Sequence, residues 1–241
     1  IVALGAGAVK LASDFEESLN KVNVSFGESS KEVEAFAKTT INNFGIAEGS
    51  ALEMASLFGD LSTSIGITQK TAAEMSTELV GLAGNLASFK NVRIDVAQTA
   101  LKGIFTGETE ALKNLGINVT ENVLKQSEFF KALGKNFNQL TLVEKTQIRF
   151  NEVIKQSANA QGDYLNTIDG VANSTRSLQE SVKELGQQFG KELLPLASDI
   201  IKTLKGVVDR IRGMSDENKK LAINIALVTA AFGPLFKAAA A

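Results

Sequence analysis

Residues 164–211 read YLNTIDGVANSTRSLQESVKELGQQFGKELLPLASDIIKTLKGVVDRI. Apolar or near-apolar side chains recur through this stretch at Tyr164, Ile168, Val171, Thr175, Leu178, Val182, Leu185, Phe189, Leu193, Leu196, Ile200, Leu204, Val207 and Ile211. Every step is three or four residues and the mean step is about 3.6, the period of one face of an α-helix. A heptad seam repeats at about 3.5 and an eleven-residue repeat at about 3.67, so the pattern predicts a nearly straight amphipathic helix. Pro195 falls inside the stripe without shifting its phase. An interior proline loses a backbone hydrogen bond and crowds the preceding turn. Either the helix kinks there, or one helix ends near Leu193 and Pro195 opens the next. The kept phase favours a kink or a very tight break.

The same period extends towards the N-terminus. Ala72, Met75, Leu79, Leu82, Leu86 and Phe89 form one apolar stripe, as expected of a helix packed in a bundle. Further helices are predicted at 9–22, 30–44, 49–64, 94–105, 107–115, 121–133 and 142–157. The last opens on Thr141-Leu-Val-Glu144, a capping box in which hydroxyl and carboxylate each satisfy an orphan backbone N–H. Ile117-Asn-Val119 alternates but is too short to make a sheet. The chain therefore reads as all-α: helical hairpins or a bundle, then a long amphipathic, partly coiled-coil-like helix, then an apolar C-terminal helix. It divides into an N-terminal helical segment (1–43), a Gly-Ile-repeat module (44–120), connecting helices (121–162), the long helix (163–213) and a charged turn leading into an apolar segment (214–241).

The module owes its name to an internal echo. Phe44-Gly-Ile46 and Ile65-Gly-Ile67 open similar stretches offset by 21 residues, so that Ala51, Glu53, Met54 and Leu61 stand opposite Ala72, Glu74, Met75 and Leu82. Leu115-Gly-Ile117 is a third occurrence. Each reads as a helix end: glycine turns left-handed past the last turn, and the flanking apolar residues close over it. Thr68 and Asn118 or Thr120 stand where the next helix needs a polar cap.

Composition narrows the chemistry. The 241 residues include no histidine and no cysteine. That removes Ser-His-Asp triads, thiol nucleophiles, imidazole bases, His or Cys zinc sites and disulfides. Two prolines stand where average usage gives about 12, which suits a chain of long helices. A net charge of −2 offers no basic field for a nucleic-acid backbone. The chain opens on Ile1 without a basic leader region, as expected of a fragment or a processed product. Gly5-Ala-Gly7 lacks the strand and spacing of a dinucleotide loop, and Gly190-Lys191 lacks the upstream glycine of a P-loop. Glu108 and Glu110 fall on different faces of a helix, and no acidic cluster has calcium-loop spacing. No carboxylate pair or activated nucleophile emerges, so no catalytic, cofactor or metal site is predicted.

Leu221–Phe236 carries sixteen residues without a charge. A membrane span needs roughly 20, so the stretch reads either as a buried hairpin helix or as a membrane-active segment.

From Gly66 to Ile117 the chain resembles the tape measure proteins of long-tailed bacteriophages and prophages. The residues that carry the likeness are Gly66-Ile67-Thr68, Ala72 with Met75-Ser76, Leu82, Leu86 with Ser88-Phe89, then Gly107-Glu108 with Glu110 and Leu112, closed by Gly116-Ile117. Pro195, after Gly190-Lys-Glu-Leu-Leu, and the turn at Gly233-Pro234 are similar to that family too. The resemblance implies an internal fragment of a structural tail protein, a length ruler and scaffold inside the tail tube, released during genome ejection. It implies several parallel copies of the chain, with the tail tube protein, tail assembly chaperones, tail tip proteins and, on ejection, the host membrane as partners. The implied location is the lumen of the virion's tail, and the host cytoplasm during assembly.

On that resemblance, the long stripe is the expected self-association face, through Leu178, Val182, Leu185, Phe189, Leu196, Ile200, Leu204, Val207 and Ile211. Two other readings stand beside the ruler. The apolar tail suits a membrane-active, pore-forming or toxin-like helical protein. A cell-wall hydrolase, a domain some longer tape measures carry, fits less well without His or Cys.

Overall fold

In the computed structural model of the chain, residues 2–213 and residue 215 are described, with side chains for residues 7–195 and for 198, 199, 202, 205, 206, 209, 210, 213 and 215. Among the described residues every regular element is helical. The helices are α1 (Val2–Phe26), α2 (Ser30–Ala37), α3 (Thr40–Phe44), α4 (Glu48–Ser64), α5 (Gln69–Phe89), α6 (Ile94–Thr106), α7 (Glu110–Asn114), α8 (Glu121–Gln126), α9 (Glu128–Ala132), α10 (Leu142–Gln156), α11 (Asp163–Asn166) and α12 (Val171–Arg212). The fold is all-α. The chain from 216 to the end, which holds the apolar segment with Gly233 and Pro234, lies outside the described residues.

Local sequence explains most helix ends. Gly45, Gly66 and Gly116 have φ of 66°, 95° and 80°, and the isoleucine after each is buried. At two of them the isoleucine N–H returns to the carbonyl five residues back, Ile67 to Ser62 at 3.1 Å and Ile117 to Leu112 at 3.0 Å. That is the Schellman closure of a helix end. Lys90-Asn91-Val92 ends α5 in the same way, with Asn91 at φ 49° and the Val92 N–H on Ala87 O at 3.0 Å. Asparagine, which also tolerates the left-handed region, thus supplies a further stop that the Gly-Ile pattern does not flag. At the N-termini, Thr68 Oγ1 accepts the Thr71 N–H, and Thr141 and Glu144 form the full capping box. Thr120 occupies the cap position of α8 without capping it; Asn118 Oδ1 instead accepts the Thr120 N–H.

The core is built around α5. Its positions 79–87 are buried on every side, and it packs against α1, α2, α3, α4, α6 and α11. A helix apolar all round belongs at the centre of a bundle. Small residues let the neighbours close in: a Cβ on Gly81 would meet the Phe44 ring, and one on Gly84 the Phe44 backbone. Three of the four echoed pairs share their environment, since Ala51, Met54, Ala72 and Met75 are buried while Glu53 and Glu74 are exposed; in the fourth, Leu82 is buried but Leu61 only partly so. The stripe ends at Leu86, however. Phe89 is 44% exposed, with the Lys90 ammonium 5.1 Å from its ring centroid.

Five predicted helices differ from the structure in their bounds. The one at 9–22 is longer at both ends, as α1, Val2–Phe26. The helix expected at 30–44 breaks at Lys38-Thr39 into α2 and α3. The one at 107–115 shrinks to α7, because Gly107 (φ 81°) ends α6. The one at 121–133 divides at Ser127, whose hydroxyl caps α9 by accepting the Phe130 N–H. The long helix begins at Val171, not near Tyr164. Tyr164 belongs to α11 and is buried in the bundle, its hydroxyl 2.7 Å from Ser177 Oγ and its ring packed where a Cβ on Gly45 would lie. At the other end α12 runs through Pro195 without a break.

Contacts knit Ile1–Lys191 into one compact unit. The second unit, Glu192–Ala241, is described only as the continuation of α12 and the turn at Gly213.

Candidate functional site

The first half of α12, residues 171–191, is amphipathic in an inverted sense. Large apolar side chains of this stretch point to solvent: Val171 is 84% exposed, Leu178 65%, Val182 60%, Leu185 52% and Phe189 68%. The buried positions are polar or glycine. Asn173, Glu180 and Gln187 recur every seven residues, so they share one face, and all three are buried. The predicted association residues Leu178, Val182, Leu185 and Phe189 therefore form an open stripe. The side chains of Leu196, Ile200, Leu204, Val207 and Ile211 lie outside the described residues.

What the polar face meets explains its composition. Helices α4 and α5 form a hairpin, so the start of α4 and the end of α5 lie together, and α12 crosses both. The α4 start carries Ala47 where its echo carries Thr68, and Ala47 has no side-chain cap to offer. Glu180 reaches this helix start from 133 residues away: its Oε2 accepts the N–H of Ala47 itself at 3.2 Å and the Ser50 hydroxyl at 2.9 Å. Its other oxygen pairs with Lys183. One turn earlier, Arg176 donates Nη2 to the carbonyls of Ala87 and Val92, both at 3.2 Å, at the end of α5. Burial pushes its guanidinium down from its ordinary value, yet an arginine stays charged. An anion at a helix N-terminus and a cation at a C-terminus both complement the helix dipoles. Two residues four apart on α12 thus serve the N-terminus of α4 and the C-terminus of α5 at one end of the hairpin.

Hydrogen bonds to α11 and the end of α5 reinforce the clamp. Asn173 Nδ2 donates to Ser88 Oγ at 2.8 Å and to Thr167 Oγ1 at 2.7 Å, and Ser88 also bonds the Asp163 carboxylate. Ser88, one of the resemblance residues, sits at this junction. Further along, Gly186 and Gly190 bring α12 onto α1: a Cβ on Gly186 would meet Leu11 Cδ1, and one on Gly190 would overlap the Ala8 carbonyl. Such Gly-x-x-x-Gly spacing lets helix backbones approach closely. Lys191 then places its ammonium 3.6 Å from the Phe15 ring centroid. The spacing is visible in the sequence, although the predicted site omitted it.

Most other resemblance residues are packing elements. Ile67, Ala72, Met75, Ser76, Leu82, Leu86, Leu112 and Ile117 are buried. Gly66, Gly107 and Gly116 are left-handed turns. Glu110 pairs with Lys113 on the surface at 2.5 Å, and the Glu108 N–H bonds Thr106 Oγ1. Two surface clefts flank these elements. One, of about 390 Å³, lies between Phe36, Phe44, Gly81 and Ile154 beside Glu78, whose carboxyl is pushed up by burial. The other, of about 670 Å³, runs between α4, the 91–95 turn and α12, with Glu53, Asp95, Arg93, Arg176 and Lys183 mixing both signs of charge. Among the described residues no helix is long and apolar enough to cross a membrane, and no cluster of acidic residues could hold a metal ion.

No known protein family, curated protein or solved structure matches the chain.

Proposed function

We propose that the chain is an internal segment of a phage tail tape measure protein: a non-catalytic ruler and scaffold inside the tail tube, released when the genome is ejected. The observation that carries this reading is α12. It is 42 residues long, it continues through Pro195, and over its first half its large apolar side chains face outwards. At 1.5 Å per residue such a helix has a contour of about 63 Å, and an open apolar stripe asks for further helices to cover it. Parallel copies of the same chain are the proposed cover. The tube protein, assembly chaperones, tail tip proteins and the host membrane complete the proposed partners, in the tail lumen and, during assembly, the host cytoplasm. The order of motifs from Gly66 to Ile117 supports the same reading.

In-frame removal of about 14 residues from the α12 region of the parent gene tests it. A ruler predicts tails shorter by about 21 Å, measured by electron microscopy. Unchanged tail length would sink the proposal. If instead the chain permeabilises liposomes and Ala226→Asp abolishes the leakage, the membrane-active reading of Leu221–Phe236 gains the stronger position.

A further inference from the structure

We propose that residues 171–191 form a strap that lifts off the α1–α10 bundle as a unit while the bundle stays folded, turning about the 167–170 segment. The inference is independent of the ruler reading and follows from what holds the strap down. An amphipathic helix is ordinarily fixed by burying its apolar face. Here that face is outside, so undocking withdraws none of the large apolar side chains Val171, Leu178, Val182, Leu185 and Phe189 from a core. The side-chain restraints are mostly polar: Glu180 on Ala47 and Ser50, Arg176 on Ala87 and Val92, Asn173 on Ser88, Ser177 on Tyr164, and the Lys191 ammonium over the Phe15 ring. Each of these groups exchanges a protein partner for water on release, so the net cost of each bond is small compared with its strength in isolation.

The pivot is built in. Tyr164 is anchored in the bundle, with its N–H on Asn85 Oδ1, and the chain then turns at Gly170, whose N–H bonds Thr167 O at 2.9 Å. The strap rests on α1 through Gly186 and Gly190, which present no side chain to interlock. Elements held by few apolar contacts open at lower free energy than the core. Because the apolar stripe faces outwards while the strap is docked, a partner helix can engage it before release. Release then frees the polar face, and α12 can be surrounded on all sides.

The cysteine-free chain allows a direct test. Spin labels on cysteines introduced at exposed Lys70 and Gln188 report the bundle-to-strap distance by pulsed EPR, and amide exchange reports the bundle. With Arg176→Ala and Glu180→Ala together, the ratio of long-distance to docked populations should rise at least tenfold, while protection of the Leu82 amide changes less than twofold. Glu180→Gln, which keeps an oxygen acceptor for the Ala47 N–H, should recover part of the docked population in the Arg176-intact chain relative to Glu180→Ala. In the unsubstituted chain the Ala47 amide, which donates to the strap's Glu180, should exchange at least tenfold faster than Leu82. An unchanged distance distribution overturns the proposal. So does loss of Leu82 protection together with strap release, or Ala47 exchange at the rate of Leu82, because strap and bundle would then be one cooperative unit.

Discussion

Arg149 donates its Nε to the carbonyl oxygen of Ile104 at 2.6 Å, deep in the interface between α10 and α6. It also donates to Thr146 Oγ1 at 3.2 Å, and no carboxylate pairs with it among the described residues. The guanidinium closes the C-terminal end of α6, where free carbonyls gather and the helix dipole favours a cation. Burial lowers its pKa from the ordinary value. Gly107 follows directly, and a Cβ there would lie 3.6 Å from Arg149 Nη1. The Gly107-Glu-Thr-Glu110 motif is therefore a helix end seated on a buried arginine.

Arg149→Ala should destabilise the chain by about 1–3 kcal/mol, because the buried Ile104 carbonyl loses a charged donor. Urea unfolding read by circular dichroism measures this. A midpoint matching that of the native chain would show that the bond contributes nothing net.

The capping box carries a pH signature. Lys135 and the Thr141 N–H hold the Glu144 carboxyl below the ordinary carboxylate range. A carboxyl lowered by folding contributes stability that is fully present above its unfolded pKa and is lost as pH falls through the folded value. The difference in urea midpoint between the native chain and Glu144→Gln should thus be constant near neutrality and shrink below about pH 4. A difference that grows on acidification would contradict the assignment. Thr141→Ala should cost about 1 kcal/mol at neutral pH.

Equivalent glycines should respond unequally. Gly66 is left-handed with open space around it, Val143 Cγ2 being 3.9 Å from a Cβ there, so Gly66→Ala should cost about 1–2 kcal/mol of backbone strain alone. At Gly45 the new methyl would also strike the Tyr164 ring. Gly45→Ala should therefore be the worse of the two by at least about 1 kcal/mol, given the usual penalty of overpacking. Thermal melting of both variants decides it, and equal losses would mean that Tyr164 gives way freely.

The outer stripe of α12 should be silent in the monomer. Leu185→Asp and Phe189→Asp should each change unfolding stability by less than about 0.5 kcal/mol, whereas Leu79→Ala in the core should cost about 2–5 kcal/mol. The same two aspartates should abolish concentration-dependent association in sedimentation experiments. Association that survives both would remove this face as the self-association surface.

Much of this architecture is written locally in the residues. The Gly45, Gly66 and Gly116 stops, the buried isoleucine after each, the Thr141–Glu144 box and the period of α5 and α12 depend on neighbours within one or two helical turns. Such signals survive without knowledge of the fold. They mislead where a local competitor goes unweighed: Ser127 capping α9 inside an apparently continuous helix, or Gly170 separating Tyr164 from a stripe whose phase it happens to share.

Tertiary structure alone decided which way α12 faces. Periodicity establishes that Leu178, Val182, Leu185 and Phe189 share a side, but it is a property of one helix and is blind to what that side meets. The orientation comes from groups far apart in the chain: Glu180 bonding the Ala47 N–H and Ser50 at the start of α4, Arg176 closing the end of α5, and Gly186 and Gly190 admitting the backbone of α1. Those contacts bury the polar face because helix ends need charged partners. The apolar stripe is left to solvent.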